Sequence, residues 1–329
     1  MSRERASVKD VAERAGVSVG TVSNVLNRPD MVSERTRVKV EAAMAELRFL
    51  RNASARQLRA GVSTTVGAVL ADLGNPFYTE IARGIEDRLA VDGQTLMLCS
   101  SDENPQREAA FLRQFAEQGV RGMLVTPMPA TVERLLELRE LGIDSVLIDA
   151  TSESLPSVRV DHVSGGRQAV AHLLERGHRR ILFLGDDPHL QQARHRLRGA
   201  TEAVIAAGLS PTEVLSTHRL DSLDATAGEE AILTILAAPQ RPTAVFCIND
   251  LVALGVLRTL RHRGVAVPEE MAIVGYDDLY WAGELATPLS SVRQPMRQIG
   301  WAAADLLLGN SAAGASRVFE PELVVRASS

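Results

Sequence analysis

The 329-residue sequence predicts a small all-α head, a short basic linker and a large α/β body built on doubly wound parallel sheets. Three observations carry this. Within the first fifty residues, apolar side chains recur at helical spacing between glycine and serine punctuation. Residues 51–61, "RNASARQLRAG", are basic and alanine-rich. From Val66 onward, short continuous apolar runs alternate with amphipathic helical ones, the rhythm of parallel strands covered on both faces. The composition, 45% hydrophobic and 23% charged, is that of an ordinary globular protein with ample material for a large core. No run approaches the length of a membrane span. The start "MSRERASVKD" has no apolar leader segment, so a cytoplasmic protein is expected. Cys99 and Cys247, far apart in strand-like runs, read as two buried free thiols of a reducing compartment.

The head opens with Val8, Val11, Ala12 and Ala15 on one helical stripe. Ser7 and Asp10 are placed as a capping box. Gly16 stands where a helix ends in the left-handed conformation. The stretch Gly16-Val17-Ser18-Val19-Gly20 fits G-x-S-x-G, the pattern of a nucleophile elbow. That elbow needs a strand before the serine, and here a helix precedes it. Ser18 is instead the N-cap of a second helix, whose apolar face is Val22, Val25 and Leu26. Ser33 caps a third, with Val40, Ala43, Met44 and Leu47 inward. Helix, glycine turn and helix is the helix-turn-helix layout, whose second helix enters the DNA major groove. Residues 1–60 hold 12 Lys+Arg against 7 Asp+Glu, whereas the whole chain is at −5, so a basic head is joined to an acidic body. The candidate DNA contacts are Ser18, Val19, Gly20, Thr21, Ser23, Asn24 and Asn27. Short polar side chains there can reach base edges and phosphates; Asn24 could pair with adenine and Val19 could touch a thymine methyl.

In the linker, Arg51, Arg56 and Arg59 accompany helix-favouring alanines, and Leu58 would be exposed on an isolated turn of helix. So short a helix is marginal alone, so order only on DNA is expected.

In the body, "VGAVLADL", "QTLMLCSS", "RGMLVTPM", "SVLIDATS", "RRILFLGDD", "PTAVFCIND" and "MAIVGYDD" read as strands. Two halves look alike: "QGVRGMLVTP" parallels "QRPTAVFCIND", and "LGIDSVLIDA" parallels "RGVAVPEEMAIVGYDD". No G-x-G-x-x-G follows the first strand, and Lys9 and Lys39 are the only lysines, so neither a nucleotide fingerprint nor a phosphate-loop lysine is present and no cofactor is expected. The strand ends carry Asp72, Thr126, Asp149, Asp186, Asn249 and Asp277. Ligands of open α/β sheets bind beyond such ends, and carboxylates and amides suit a hydroxyl-rich ligand. Phe77 and Tyr78, at a helix start after Asn75-Pro76, could cover an apolar ring face. Seven histidines form no H-E-x-x-H, and no catalytic constellation is visible.

"VKDVAERAGVSVGTVSNVLNRPDMVSERTRVKVEAAMAEL" resembles the DNA-binding head of the lac repressor family (LacI/GalR), and "RNASARQLRAG" resembles its hinge helix. The body blocks "NPFYTEIARGIED", "VDHVSGGRQAVAHLLERGHRRI", "ARHRLRGA", "CINDLVALG", "VGYDD" and "PLSSVRQP" are similar to that family's two-lobed, periplasmic-binding-protein-like core. The resemblance implies a head over 1–50, a hinge helix over 51–61 and an effector-binding and dimerising core over 62–329. Lobe 1 would comprise about 62–161 and 293–319, lobe 2 about 162–292 and 320–329, with crossings near 161–164, 289–293 and 319–322. It implies that Arg196 clamps an effector, that Asp149, Asn249 and Asp277 contact it, and that Phe77 and Tyr78 form an aromatic wall. It implies that paired hinge helices insert Leu58 into the minor groove, with Arg51 and Arg56 beside it. The expected function is a ligand-responsive transcriptional repressor, not an enzyme, that binds a pseudo-palindromic operator as a homodimer. Its effector would be a sugar, with a nucleobase possible, and lobe angle would control the hinge. Where a lac-type galactoside site places a tryptophan, this chain has Leu223, and its recognition helix opens on the small residues Val19 and Gly20, so neither that ligand nor that operator transfers. The chain ends at "PELVVRASS" without a heptad tail, which favours a dimer over a tetramer. Two other readings stay open: a solute-binding protein of the same core, and a regulator that answers to a partner protein.

Overall fold

The computed structural model describes residues 6–49, 63–309 and 314–329. The chain divides into two compact units, Met1–Val62 and Ser63–Ser329.

In the first unit, α1 (Val8–Ala15), α2 (Val19–Asn27) and α3 (Glu34–Glu46) enclose Val11, Ala12, Val22, Val25, Val40 and Ala43. Each terminus has a visible cause. Ser7 and Asp10 satisfy each other's backbone amides at the start of α1. Gly16 ends it at φ 66°, in the left-handed region. Ser18 and Ser33 accept the amides of Thr21 and Thr36 and start the next two helices. The linker over 51–61, with the candidate contacts Arg51, Arg56 and Leu58, lies outside the described residues.

The second unit holds two six-stranded sheets. The first contains β1 (Thr65–Leu70), β2 (Thr95–Ser100), β3 (Gly122–Val125), β4 (Asp144–Ile148), β5 (Ser157–Val160) and β11 (Ser316–Phe319), in the order β11-β5-β4-β3-β1-β2. The second contains β6 (Ile181–Leu184), β7 (Leu215–His218), β8 (Ala244–Cys247), β9 (Ala272–Asp277), β10 (Ser290–Arg293) and β12 (Glu322–Val324), in the order β12-β10-β9-β8-β6-β7. The two orders have one pattern, with β3 and β4 corresponding to β8 and β9, the halves that read alike in sequence. All ladders are parallel except that of β12, which runs antiparallel to β10. The lobe of the first sheet carries α4 (Pro76–Val91), α5 (Pro105–Glu117), α6 (Thr131–Glu140) and α12 (Met296–Leu308). The other lobe carries α7 (His162–Glu175), α8 (Gln191–Ala206), the short α9 (Pro211–Val214), α10 (Ala225–Ala237) and α11 (Asp250–Arg263).

The chain passes between lobes after β5, after β10 and after β11. The middle passage falls at 294–295, just beyond the expected 289–293, because Ser290–Arg293 pair with Val274–Asp277 and stay in the second sheet. Seven strands are legible as apolar runs; the other five are short, and most are polar ("SVRV", "LSTH", "SSVR", "SRVF", "ELV"). Their pairing is fixed by position, not by a hydrophobic pattern. The expectation of two buried thiols needs correcting: Cys247 is buried in a central strand, but Cys99 is only half-buried. Its strand, β2, is at a sheet edge and has one neighbour, β1.

Helices α7 and α8 pack at backbone contact because both carry glycine at the crossing. A Cβ on Gly166 would lie 2.0 Å from the Arg196 carbonyl oxygen, and one on Gly199 would lie 1.9 Å from that of Val163. Gly84 and Gly300 play the same part between α4 and α12. These crossings fix where the helix N-termini, and hence the strand-end loops, stand.

Candidate functional site

On the head, α2 presents Val19, Gly20, Asn24 and Asn27 to solvent, while Val22 and Val25 are buried. Ser18, Thr21, Ser23 and Asn27 are tied into the helix itself. Ser18 Oγ accepts the Thr21 amide at 3.1 Å and shares a hydroxyl bond with Thr21 at 2.9 Å. Asn27 Nδ2 donates to the Ser23 carbonyl at 2.8 Å. Among the described residues, no hydrogen bond holds the Asn24 amide. Among the described residues Gly20 has no packing reason: a Cβ there would meet only Ser18 Oγ, at an ordinary 3.6 Å. The exposed face is thus a small apolar step, a bare backbone turn and an unengaged amide, suited to a surface that approaches closely.

In the body, a cavity of about 470 Å³ opens at the carboxyl ends of both sheets. Asp72, Phe77, Tyr78, Asp149, Arg196, Asn249 and Asp277 all line it. Thr126 lines it as well, whereas Asp186 does not. Strand direction puts them there. Asp149 follows β4, Thr126 follows β3, Asn249 comes just after β8, and Asp277 closes β9. Asp149 and Asp277 take φ of 58° and 109°, values that L residues seldom adopt and that cluster at functional sites. Phe77 and Tyr78, in the first turn of α4, meet edge to face with centroids 5.0 Å apart. Burial, followed by the charges of Asp149 and Glu103, pushes the Tyr78 phenol well above its ordinary value, so it stays a neutral donor.

A buried polar cluster ties the lobes together beneath the cavity. Asp149, from the first lobe, receives His162 Nε2 at 2.7 Å and Gln192 Nε2 at 2.9 Å, both from the second. His162 Nδ1 lies 3.1 Å from the Tyr276 hydroxyl and 3.4 Å from Arg196 Nε. Arginine can only donate, so Nδ1 accepts and the proton sits on Nε2, facing Asp149. Burial pushes the imidazole down, consistent with this neutral tautomer. Burial would raise the Asp149 carboxyl, but His162, Gln192 and Arg196 outweigh it and bring it to about 2. Arg196 lies against the Tyr276 ring, 3.6 Å from its centroid, and its Nη1 donates to the Ile248 carbonyl.

Asp277 is different. Burial pushes it up to about 7, against the pull of Arg196 and the 2.6 Å hydrogen bond from Gln294 Nε2 to its Oδ1. No described residue hydrogen-bonds its second oxygen, and the residue lines the cavity. The Asn249 amide is largely committed: Oδ1 caps α11 at Val252 and Nδ2 donates to the Leu223 carbonyl at 2.9 Å. The supporting residues His162, Gln192, Tyr276 and Gln294 are not singled out by sequence spacing. The His162 contacts run 13, 34 and 114 residues away in the chain, so no local pattern could point to them. Among the described residues no group of side chains could hold a metal ion, and no helix is long and apolar enough to cross a membrane.

Residues 7–52 match the model of bacterial regulatory proteins of the lacI family, and residues 170–329 match that of a periplasmic binding protein-like domain. The HTH-type transcriptional repressor PurR of Photobacterium profundum is 34% identical over 98% of each chain. The ribose operon repressor of Bacillus subtilis is 36% identical over 92% of this chain and 91% of its own. The crystal structure of the lac repressor dimer bound to operator and the anti-inducer ONPF superposes with a TM-score of 0.85, at 27% identity over 99% of each chain.

Proposed function

The chain belongs to the lacI family of bacterial regulatory proteins, and we propose that it represses transcription from a pseudo-palindromic operator, as a cytoplasmic homodimer whose DNA affinity is set by a small hydroxyl-rich molecule held between its lobes. It is a DNA-binding regulator and not an enzyme. The α2 face of Val19, Gly20 and Asn24 reads base edges, and Ser18, Thr21, Ser23 and Asn27 shape that helix and reach phosphates. The linker residues Arg51, Arg56 and Leu58 act at the centre of the site.

The observation that carries this reading is the polar cluster under the cavity. Asp149 belongs to one lobe, and the groups that hold it belong to the other. A ligand that bonds Arg196 and Asp277 competes with or reinforces these contacts, and so favours one lobe angle over another. Only such differential affinity can shift the equilibrium. A relative named for a ribose operon and a dimeric relative on its operator support the same arrangement.

The test uses the full chain. DNA fragments of its source genome are selected on the protein, and binding is then measured against a panel of sugars, nucleosides and nucleobases. The expected result is a selected sequence with two-fold character, and a ligand that changes its affinity in the wild type but not in Arg196→Ala or Asp277→Ala. An operator that is bound identically by wild type and both variants, whatever ligand occupies the cavity, refutes the proposal.

A further inference from the structure

The charge of the cavity restricts what can enter it. Among the described residues, seven carboxylates line it, against a single guanidinium, that of Arg196. Asp102 is paired with Arg107, whereas Asp149 accepts a hydrogen bond from the neutral His162 and keeps its charge. Asp72, Glu103, Asp221, Asp224 and Asp277 form no ion pair with any described residue. They stand on both lobes. Glu103, on the first, is pushed up by burial and then by Asp72 beside it and Asp187 from the second, so like charges meet across the mouth.

The usual anion-binding devices are partly occupied. Three helices that open onto the cavity each have one first-turn amide taken by the N-cap side chain: Asn75 accepts from Phe77 at 2.9 Å, Asn249 from Val252 at 2.8 Å, and Asp224 from Ala227 at 2.9 Å. The start of α8, at Leu190, has no side-chain cap, but Asp187 stands just before it and accepts the His189 amide at 2.8 Å. Arg196 does not offer a free two-pronged grip. Nη1 is taken by the Ile248 carbonyl, Nε lies toward His162, and one face rests on Tyr276. What the cavity offers instead is acceptors and single donors. Thr126, 5% exposed, lines it with a hydroxyl that has no hydrogen-bond partner among the described residues and can donate or accept there.

We infer that the effector bears no phosphate or carboxylate: the cavity takes an unphosphorylated, hydroxyl-rich molecule, neutral or bearing an amine, and rejects its anionic counterparts. This rests on the reading of the cavity as the effector site. Carboxylates accept hydrogen bonds from hydroxyl pairs and from ammonium groups but repel a phosphate, and that repulsion is least screened at the buried Asp149, on the floor of the cavity.

The experiment is calorimetric titration of the full-length protein with matched sets: ribose and ribose 5-phosphate; glucose, glucosamine and glucose 6-phosphate; adenosine and adenosine 5′-monophosphate. Binding is expected only from unphosphorylated members, with the phosphorylated partner at least tenfold weaker. The gap should narrow in the Glu103→Gln, Asp221→Asn double variant, whose fold is checked by its melting temperature. A phosphorylated member that binds more tightly than its parent overturns the inference and leaves the regulator reading standing. Silence from every set, with DNA still bound, overturns both the inference and the small-molecule half of the proposed function.

Discussion

Gly166→Ala tests whether the α7–α8 crossing holds the ligand arginine in place. The new Cβ would sit 2.0 Å from the Arg196 carbonyl oxygen, where real Cβ contacts stay beyond 3.0 Å. The helices must therefore part by about 1 Å at the residue that carries the guanidinium. Overpacking of this kind costs about 1–3 kcal/mol. In a body of this size that lowers the melting temperature by roughly 3–10 °C. The same displacement breaks the bond from Arg196 Nη1 to the Ile248 carbonyl and moves Nε away from His162. Ligand affinity is thus expected to fall at least tenfold, about 1.4 kcal/mol. The control is Gly84→Ala, whose Cβ would lie 2.1 Å from the Arg297 carbonyl oxygen at the equivalent crossing of the first lobe. It should melt earlier by a similar amount but lose less affinity, because its helix carries Phe77 and Tyr78 and not the guanidinium. Thermal melts and titration with a ligand found as above decide the matter. Equal losses of affinity in the two variants, or a Gly166→Ala protein that melts with wild type, would refute the reasoning.

Other outcomes follow from the same geometry. Gly20→Ala should stabilise the head by about 0.5–1 kcal/mol, since among the described residues a Cβ there meets nothing closer than Ser18 Oγ at 3.6 Å, while weakening operator binding; tighter binding would show that no partner approaches that turn. Asn24→Ala should cost about 1–3 kcal/mol at one base position and little on random duplex, read by competition between single-base operator variants. Asp277, raised to about 7 from 3.8, holds a proton in the folded protein that the unfolded chain has already lost. Its contribution to stability is therefore complete below about pH 4 and is lost as pH climbs toward 7. Asp277→Asn should gain on wild type across that window, by on the order of 2 kcal/mol between pH 5 and 7. A difference between the two proteins that does not vary with pH would contradict the assignment. Ligand affinity should rise over the same range in wild type, as the carboxylate ionises and becomes a full acceptor, and stay flat in the variant.

Much of this molecule is written locally. Ser7, Gly16, Ser18 and Ser33 announce helix ends because caps act over three or four residues. Six of the seven apolar strands show because burial on both faces demands a continuous run; the seventh, β2, is apolar although it lies at an edge. Three of the seven cavity-lining carboxylates, Asp72, Asp149 and Asp277, could be read from strand ends, since parallel sheets point those ends at one edge; Asp102, Glu103, Asp221 and Asp224 could not. What could not be read is whatever depends on distant pairing. The polar edge strands β7, β11 and β12 take their place from β6, β5 and β10 and not from their own composition. Asp149 is visible as a strand-end acid, but its capture by His162 and Gln192 depends on two lobes meeting. Likewise Cys99, in a run as apolar as that of Cys247, is half-exposed only because β2 happens to be an edge.

The most direct measurement is the affinity of the full-length protein for its selected operator, by fluorescence anisotropy, with and without a saturating cavity ligand. The account predicts a change of roughly 5–150-fold in the wild type, the usual span of allosteric coupling. In Asp149→Asn, whose lobes lack the ionised latch, that change should shrink although the ligand still binds. A ligand shown to occupy the cavity that leaves operator affinity untouched would contradict the claim that lobe contacts govern DNA binding.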